Sequence, residues 1–108
     1  MIYTIEELKQ IITPIARKYN IPTVYIFGSY ARNEADENSD VDVLIQRKGS
    51  KILTLFDLGS LYNDLNEELG KGLDLITEDS LSQDDIKRRT PWFLENLQKE
   101  RITVYEQQ

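Results

Sequence analysis

Gly28-Ser29, ten residues, then Asp40-Val41-Asp42 is the stretch of this chain whose residue types can do chemistry together. Gly28 lets a backbone pass close to a ligand. Ser29 places a hydroxyl and an amide beside it. Asp40 and Asp42, two apart on a predicted strand, project from one face because strand side chains alternate with period two. Side-by-side carboxylates in a sheet are costly unless a positive charge lies between them, and a hard divalent cation is the simplest candidate. A third aspartate, Asp74, lies on another strand-like run, Leu73-Asp74-Leu75-Ile76-Thr77. If the strands carrying Asp42 and Asp74 pair, the three carboxylates can converge. Such an all-oxygen site suits Mg²⁺ or Mn²⁺ rather than zinc. Two such ions about 3.5–4 Å apart can clamp the attacking and leaving oxygens of a phosphoryl displacement. Gly28 and Ser29 would then offer amide and hydroxyl donors to the phosphate tail.

Each residue also has a plainer reading. Strand-edge aspartates often point to water. That explanation weakens for three on adjacent strands, with Asp42 between Val41 and Val43 and Asp74 between Leu73 and Leu75. Ser29 alone is an ordinary turn residue; its weight comes from the spacing to Asp40 and Asp42. Four such fixed residues meet by chance in a chain this long about one time in a thousand. Arg32 can reach a phosphate, or can cap the loop through Asp36 or Glu37. The basic clusters Arg47-Lys48 and Lys87-Arg88-Arg89 read as solvated faces, or as contacts for a triphosphate or a partner. Trp92 and Phe93 read as core rather than as a stacking platform. Neither GxxxxGK[ST] nor GxGxxG occurs, so no Walker or dinucleotide fingerprint is present.

The elements that must position these residues follow from pattern. Thr4 and Glu7 form a capping box, and Leu8, Ile11, Ile12, Ile15 and Tyr19 recur at helical spacing. Pro14 should kink or split that helix near 12–13, and Asn20 is a left-handed stop. Val24–Phe27 is a short β-rich run. Tyr30 to Asn33 predicts one helical turn, and residues 41–46 a second strand. On that strand Val43 and Ile45 face one side; Asp40, Asp42 and Leu44 face the other. Thr54 caps the next helix, with Leu55, Leu58, Leu61, Tyr62, Leu65 and Leu69 as its apolar stripe. Gly59 within it costs stability and would admit a neighbouring element. Gly70-Lys71-Gly72 ends the helix. After the third strand, Ser82 and Thr90-Pro91 start short helices at about 83–89 and 91–99, carrying Ile86, Trp92, Leu94 and Leu97. Ile102–Tyr105 is a last strand. The order predicts an α/β (α+β) fold, a sheet of about four strands flanked by helices. The second and third strands are far enough apart for a helical crossover.

Composition narrows the chemistry. At 108 residues the chain reads as one domain, 1–108. It has no histidine and no cysteine. That removes Ser-His-Asp and Cys-His catalysis, imidazole and thiolate zinc sites, and a disulfide framework. Ser29 therefore has no base to make it a hydrolase nucleophile. A formal net charge of −6 is a poor match for long nucleic acid, whose affinity comes from phosphate neutralisation. It leaves room for one small nucleotide held through metal ions. No run of about 18 apolar residues and no signal-peptide pattern is present, so a cytoplasmic protein without a membrane span is expected.

Gly28-Ser29-x10-Asp40-x-Asp42 with a later Asp74 resembles the signature of the DNA polymerase β nucleotidyltransferase superfamily. The runs GSYAR, SDVDVLI, GLDLIT and ITVYE resemble the minimal nucleotidyltransferases of bacteria and archaea, from Ile5 to Tyr105. The resemblance implies a mixed sheet and two Mg²⁺ held by Asp40 and Asp42. Asp74 would join as third carboxylate near the attacking hydroxyl, and Gly28 and Ser29 would hold the triphosphate of ATP or another NTP. Family members often have glycine where this chain has Asn33, and asparagine is the next most tolerant residue at positive φ. Members of this group are often encoded beside a HEPN-domain toxin and transfer AMP from ATP to its tyrosine, acting as antitoxin. That implies a HEPN toxin as partner, in a homo- or hetero-oligomer. An acidic surface suits such a basic, RNA-cleaving partner. The two alternatives are a binding module that neutralises its partner by occlusion, and nucleotidyl transfer to a small molecule such as an aminoglycoside. The second would need more substrate-binding structure than this length provides.

Overall fold

The computed structural model describes residues 2–79 and 99–107. The expected helices at about 83–89 and 91–99, with Trp92, Phe93 and Lys87-Arg88-Arg89, fall mostly or wholly outside the described residues. Helix α1 (Ile5–Lys18) starts at the capping box, where the Thr4 amide donates to Glu7 Oε1 (2.9 Å) and the Glu7 amide to Thr4 Oγ1 (3.1 Å). Leu8, Ile12, Ile15 and Ala16 are its buried residues. The helix runs on through Pro14, contrary to the expected kink or split. Pro14 and Gln10, whose carbonyl loses its i+4 donor, are both exposed, so water can satisfy that carbonyl. Asn20 has the left-handed φ of 53° its position called for.

Strands β1 (Thr23–Phe27), β2 (Val41–Ile45), β3 (Leu73–Thr77) and β4 (Ile102–Glu106) form one mixed sheet in the order β3-β2-β1-β4. β1 is antiparallel to both β2 and β4, whereas β2 and β3 are parallel. That parallel pair is joined by helix α3 (Leu55–Leu69), the expected crossover. One face of the sheet packs on α1 and α3 through Val24, Ile26, Val41, Val43, Ile45, Leu61, Leu65 and Leu69. The opposite face carries a smaller apolar cluster of Phe27 and Leu44 with Tyr25 and Ile76.

Three local expectations change. The helical turn after β1, α2, spans Gly28–Ala31 and so begins two residues earlier than the sequence suggested. Its start is set by Gly28 at φ 70°, which turns the chain directly off the strand. The α3 stripe is narrower, because Leu55 is 85% and Tyr62 39% exposed. Leu55 is the first helical residue, and the buried rows begin further along. Gly59 is exposed, and among the described residues nothing approaches within 4 Å of where its Cβ would stand. No described helix is long and apolar enough to cross a membrane.

Candidate active site

The β2–β3 register settles which carboxylates meet. Asp42 lies directly opposite Asp74, and on its other side opposite Phe27. These three residues form one row across the outer face of the sheet, and Ile76, Leu44 and Tyr25 form the next. That face is therefore apolar at one end and acidic at the other. Asp40 precedes β2 by one residue, two positions from Asp42. It abuts Gly72, just before β3, as the backbone bond from the Val41 amide to the Gly72 carbonyl (2.9 Å) shows.

Asp42 is half-buried, while Asp40 and Asp74 are exposed. The apolar residues flanking Asp74 predict a drier place. β3 is an edge strand, however, and only one of its five residues is buried. Burial pushes the Asp42 carboxyl up from 3.8 to about 6; the charges of Asp74 and then Asp40 add to that, and Arg32 opposes them. Asp42 thus feels both of its acidic neighbours. Among the described residues no three acidic side chains are gathered into a ready-made cation cage. The donors are nonetheless hard oxygens, and a small divalent cation would offset both the burial and the neighbouring charges that raise Asp42.

Gly28 stands at the end of β1 against Asp42. A Cβ there would lie 3.1 Å from Asp42 Cγ and overlap Oδ2, so only glycine fits both the positive φ and the close approach. Ser29 follows on α2, partly exposed, and its carbonyl accepts from the Glu34 amide (2.9 Å). Asn33 has φ 59°, the conformation for which glycine or asparagine is suited. Arg32 ends this turn. Its Nε donates to Glu34 and its Nη1 to Glu100, each at 3.1 Å, so neither Asp36 nor Glu37 is its partner. Asp36 instead closes its own loop, accepting from the Asn38 amide (2.8 Å) and Ser39 Oγ (3.2 Å). Arg47 is tied to Asp79 and to the Ile52 carbonyl (3.0 Å), away from the aspartate row.

Sequence reasoning missed Tyr30 and Lys71. Tyr30 is 5% exposed, and Lys71 Nζ donates to its hydroxyl (2.6 Å) and to the Asp36 carbonyl (3.4 Å). No local pattern announces a bond between residues 41 apart in the chain. In sequence Gly72 reads as a helix stop alone, whereas in the fold it lies against a candidate ligand.

A family model described as "Nucleotidyltransferase domain" matches residues 8–102. A Methanocaldococcus jannaschii protein named "Putative protein adenylyltransferase MJ0435" is 44% identical over 77 residues, 71% of this chain and 81% of its own. "Protein adenylyltransferase MntA" of Thermococcus cleftensis is 34% identical over 82 residues, 72% of this chain and 81% of its own. Among solved structures, a complex of tri-AMPylated Shewanella oneidensis HEPN toxin with an MNT antitoxin contains a chain of the same fold. It matches with a TM-score of 0.62 at 16% identity, over 94% of this chain and 73% of the other.

Proposed function

The chain belongs to the nucleotidyltransferase domain family, and from that premise we propose that it moves AMP from ATP to a hydroxyl of a partner protein, with a tyrosine of a HEPN-type toxin as acceptor. The observation that carries this reading is the row in which Asp42 faces Asp74, with Asp40 beside it and the Gly28-Ser29 turn pressed against Asp42. Relatives named protein adenylyltransferase support the adenylyl group and the protein acceptor. The AMPylated toxin in the structural relative supports the kind of partner.

Asp40, Asp42 and Asp74 would hold Mg²⁺, or Mn²⁺ in its place. Bound there, two such cations would neutralise the triphosphate and the attacking oxygen. The chain's own residues do the rest. Gly28 and Ser29 receive the triphosphate, with the glycine backbone allowing the approach and the Ser29 hydroxyl and amide donating. Arg32 exchanges its Glu34 and Glu100 partners for phosphate oxygens. The acceptor oxygen forms a bond to the α-phosphorus as the bond from that phosphorus to the bridging oxygen breaks. Pyrophosphate leaves, and the hydroxyl proton passes to the exposed Asp74 carboxylate. Catalysis is positioning and charge stabilisation.

The test is transfer of label from α-labelled ATP, with Mg²⁺, to the protein encoded beside this chain. Asp42→Asn should cut transfer by about 10²–10³-fold with the fold intact. Undiminished transfer by that variant, or none by the wild-type chain, removes the proposal. One observation favours a second reading, neutralisation by occlusion. Leu53, Leu55 and Phe56 are 76%, 85% and 89% exposed around the start of α3, an apolar tip suited to docking. On that reading Asp42→Asn still neutralises the partner.

A further inference from the structure

We propose that Gly72 is a positioning residue for Asp40, making the backbone wall that sets the direction of that carboxylate. The inference rests on Asp40 being a cation-holding residue of the proposed transferase, and it concerns a glycine outside the Gly-Ser-x10-Asp-x-Asp pattern. A Cβ on Gly72 would stand 2.8 Å from Asp40 Cγ and overlap Oδ1. The Asp40 carboxylate thus occupies the space a side chain at 72 would need. Gly28 and Asp42 repeat the arrangement one row along. Each carboxylate of the Asp-x-Asp pair is therefore seated on a glycine, one at the end of β1 and one at the start of β3.

The seat is fastened on both sides. The Val41 amide bonds the Gly72 carbonyl at 2.9 Å, fixing Gly72 to the residue after Asp40. On the other side Lys71 Nζ reaches the buried Tyr30 hydroxyl (2.6 Å) and the carbonyl of Asp36 (3.4 Å), in the loop that leads to Asp40. Gly72 cannot easily retreat, so a new side chain would have to push the carboxylate aside. Gly72 is not among the left-handed glycines, which are Gly28, Gly49 and Gly70, so alanine adds no backbone strain. Asp40 is exposed and short, and its carboxylate can swing away at little cost. Gly72→Ala should therefore spare the fold and misdirect one ligand.

The experiment uses the full chain and follows Mn²⁺ binding by electron paramagnetic resonance in the presence of a non-hydrolysable ATP analogue, beside thermal melts. Gly72→Ala should weaken Mn²⁺ binding by about 10–100-fold, the usual effect of losing a group that orients a ligand. Its Tm should move by no more than about 3 °C. Because Gly72 acts only through Asp40, Gly72→Ala in an Asp40→Asn background should weaken binding no further. Wild-type affinity in Gly72→Ala, or losses that multiply in the double variant, overturns the inference and leaves the transferase reading standing. Wild-type affinity in Asp40→Asn overturns both. Should Gly72→Ala not fold, Lys71→Met carries the test. It cuts the tie to Tyr30 and should weaken Mn²⁺ binding roughly tenfold; unchanged affinity again overturns the inference.

Discussion

Asp42 keeps its charge at neutral pH against burial and two neighbouring carboxylates, which together set its pKa near 6. A folded-state value above the ordinary 3.8 means that the folded chain holds this proton more tightly than the unfolded chain. Stability from this group is therefore full below about pH 4 and lost as pH rises through about 6. The same residue that serves the proposed chemistry weakens the fold when no cation is present. In the presence of a chelator, Asp42→Asn should be more stable than wild type at pH 7.5. The gain should be on the order of 1–2 kcal/mol once solvent screening of a half-buried group is allowed for. The two melting curves should converge towards pH 4. A gap that stays constant across this range would mean that the aspartate charge is not what the fold tolerates. Asp57 and Asp79 have lowered carboxyls, through backbone amides and Arg47 respectively, so their effects run the other way and appear only on further acidification.

At the scale of the element, α3 shows how local chemistry and tertiary need divide a helix. Its start is over-determined. The amides of Leu53 and Thr54 both donate to Asp57 Oδ2 at 2.9 Å, and the Asp57 amide donates back to Thr54 Oγ1 at 3.2 Å. Thr54→Ala should cost about 1 kcal/mol. In mid-helix Gly59 is exposed, with nothing among the described residues against it. Gly59→Ala should therefore gain about 1 kcal/mol by helix propensity alone and leave nucleotidyl transfer unchanged. Urea unfolding of both variants tests the pair. A destabilised Gly59→Ala would show that a bound partner or another part of the chain uses the space. The opposite behaviour predicted for Gly72→Ala, neutral for stability and harmful for binding, follows from the same measure of free space at the two glycines.

For the whole molecule, topology matters more than size. The two site strands are parallel and joined by a 15-residue helix, whereas Gly28 reaches the same row along an antiparallel neighbour. A mixed sheet is what lets a turn at the end of β1 and carboxylates at the start of β2 and β3 share one edge of the molecule. The formal charge of −6 gives that molecule a long-range field. If the partner is a basic toxin, its association rate should fall about tenfold or more as salt rises from about 50 to about 500 mM, since steering is screened while short-range contacts are not. Stopped-flow mixing measures this directly. A salt-independent rate would assign recognition to an uncharged surface such as the Leu53-Leu55-Phe56 tip.

Much of this was legible along the chain. Thr4 with Glu7, Thr54, Asn20 and the four strand runs announce themselves because capping and alternation act over three or four residues. The spacing of Gly28, Ser29, Asp40 and Asp42 also named the candidate chemistry, and the absence of histidine and cysteine removed its rivals. What failed depended on surroundings. Pro14 was tolerated because its turn faces solvent, and Leu55 left the stripe because no described core reaches it. Arg32 pairs with Glu34 and with Glu100, 68 residues away, rather than with Asp36 or Glu37. Residue types and short spacings named the candidate groups. Only the tertiary structure decided that Asp74 faces Asp42 and that Asp40 abuts Gly72, because strand register and close packing are properties of segments that meet in space.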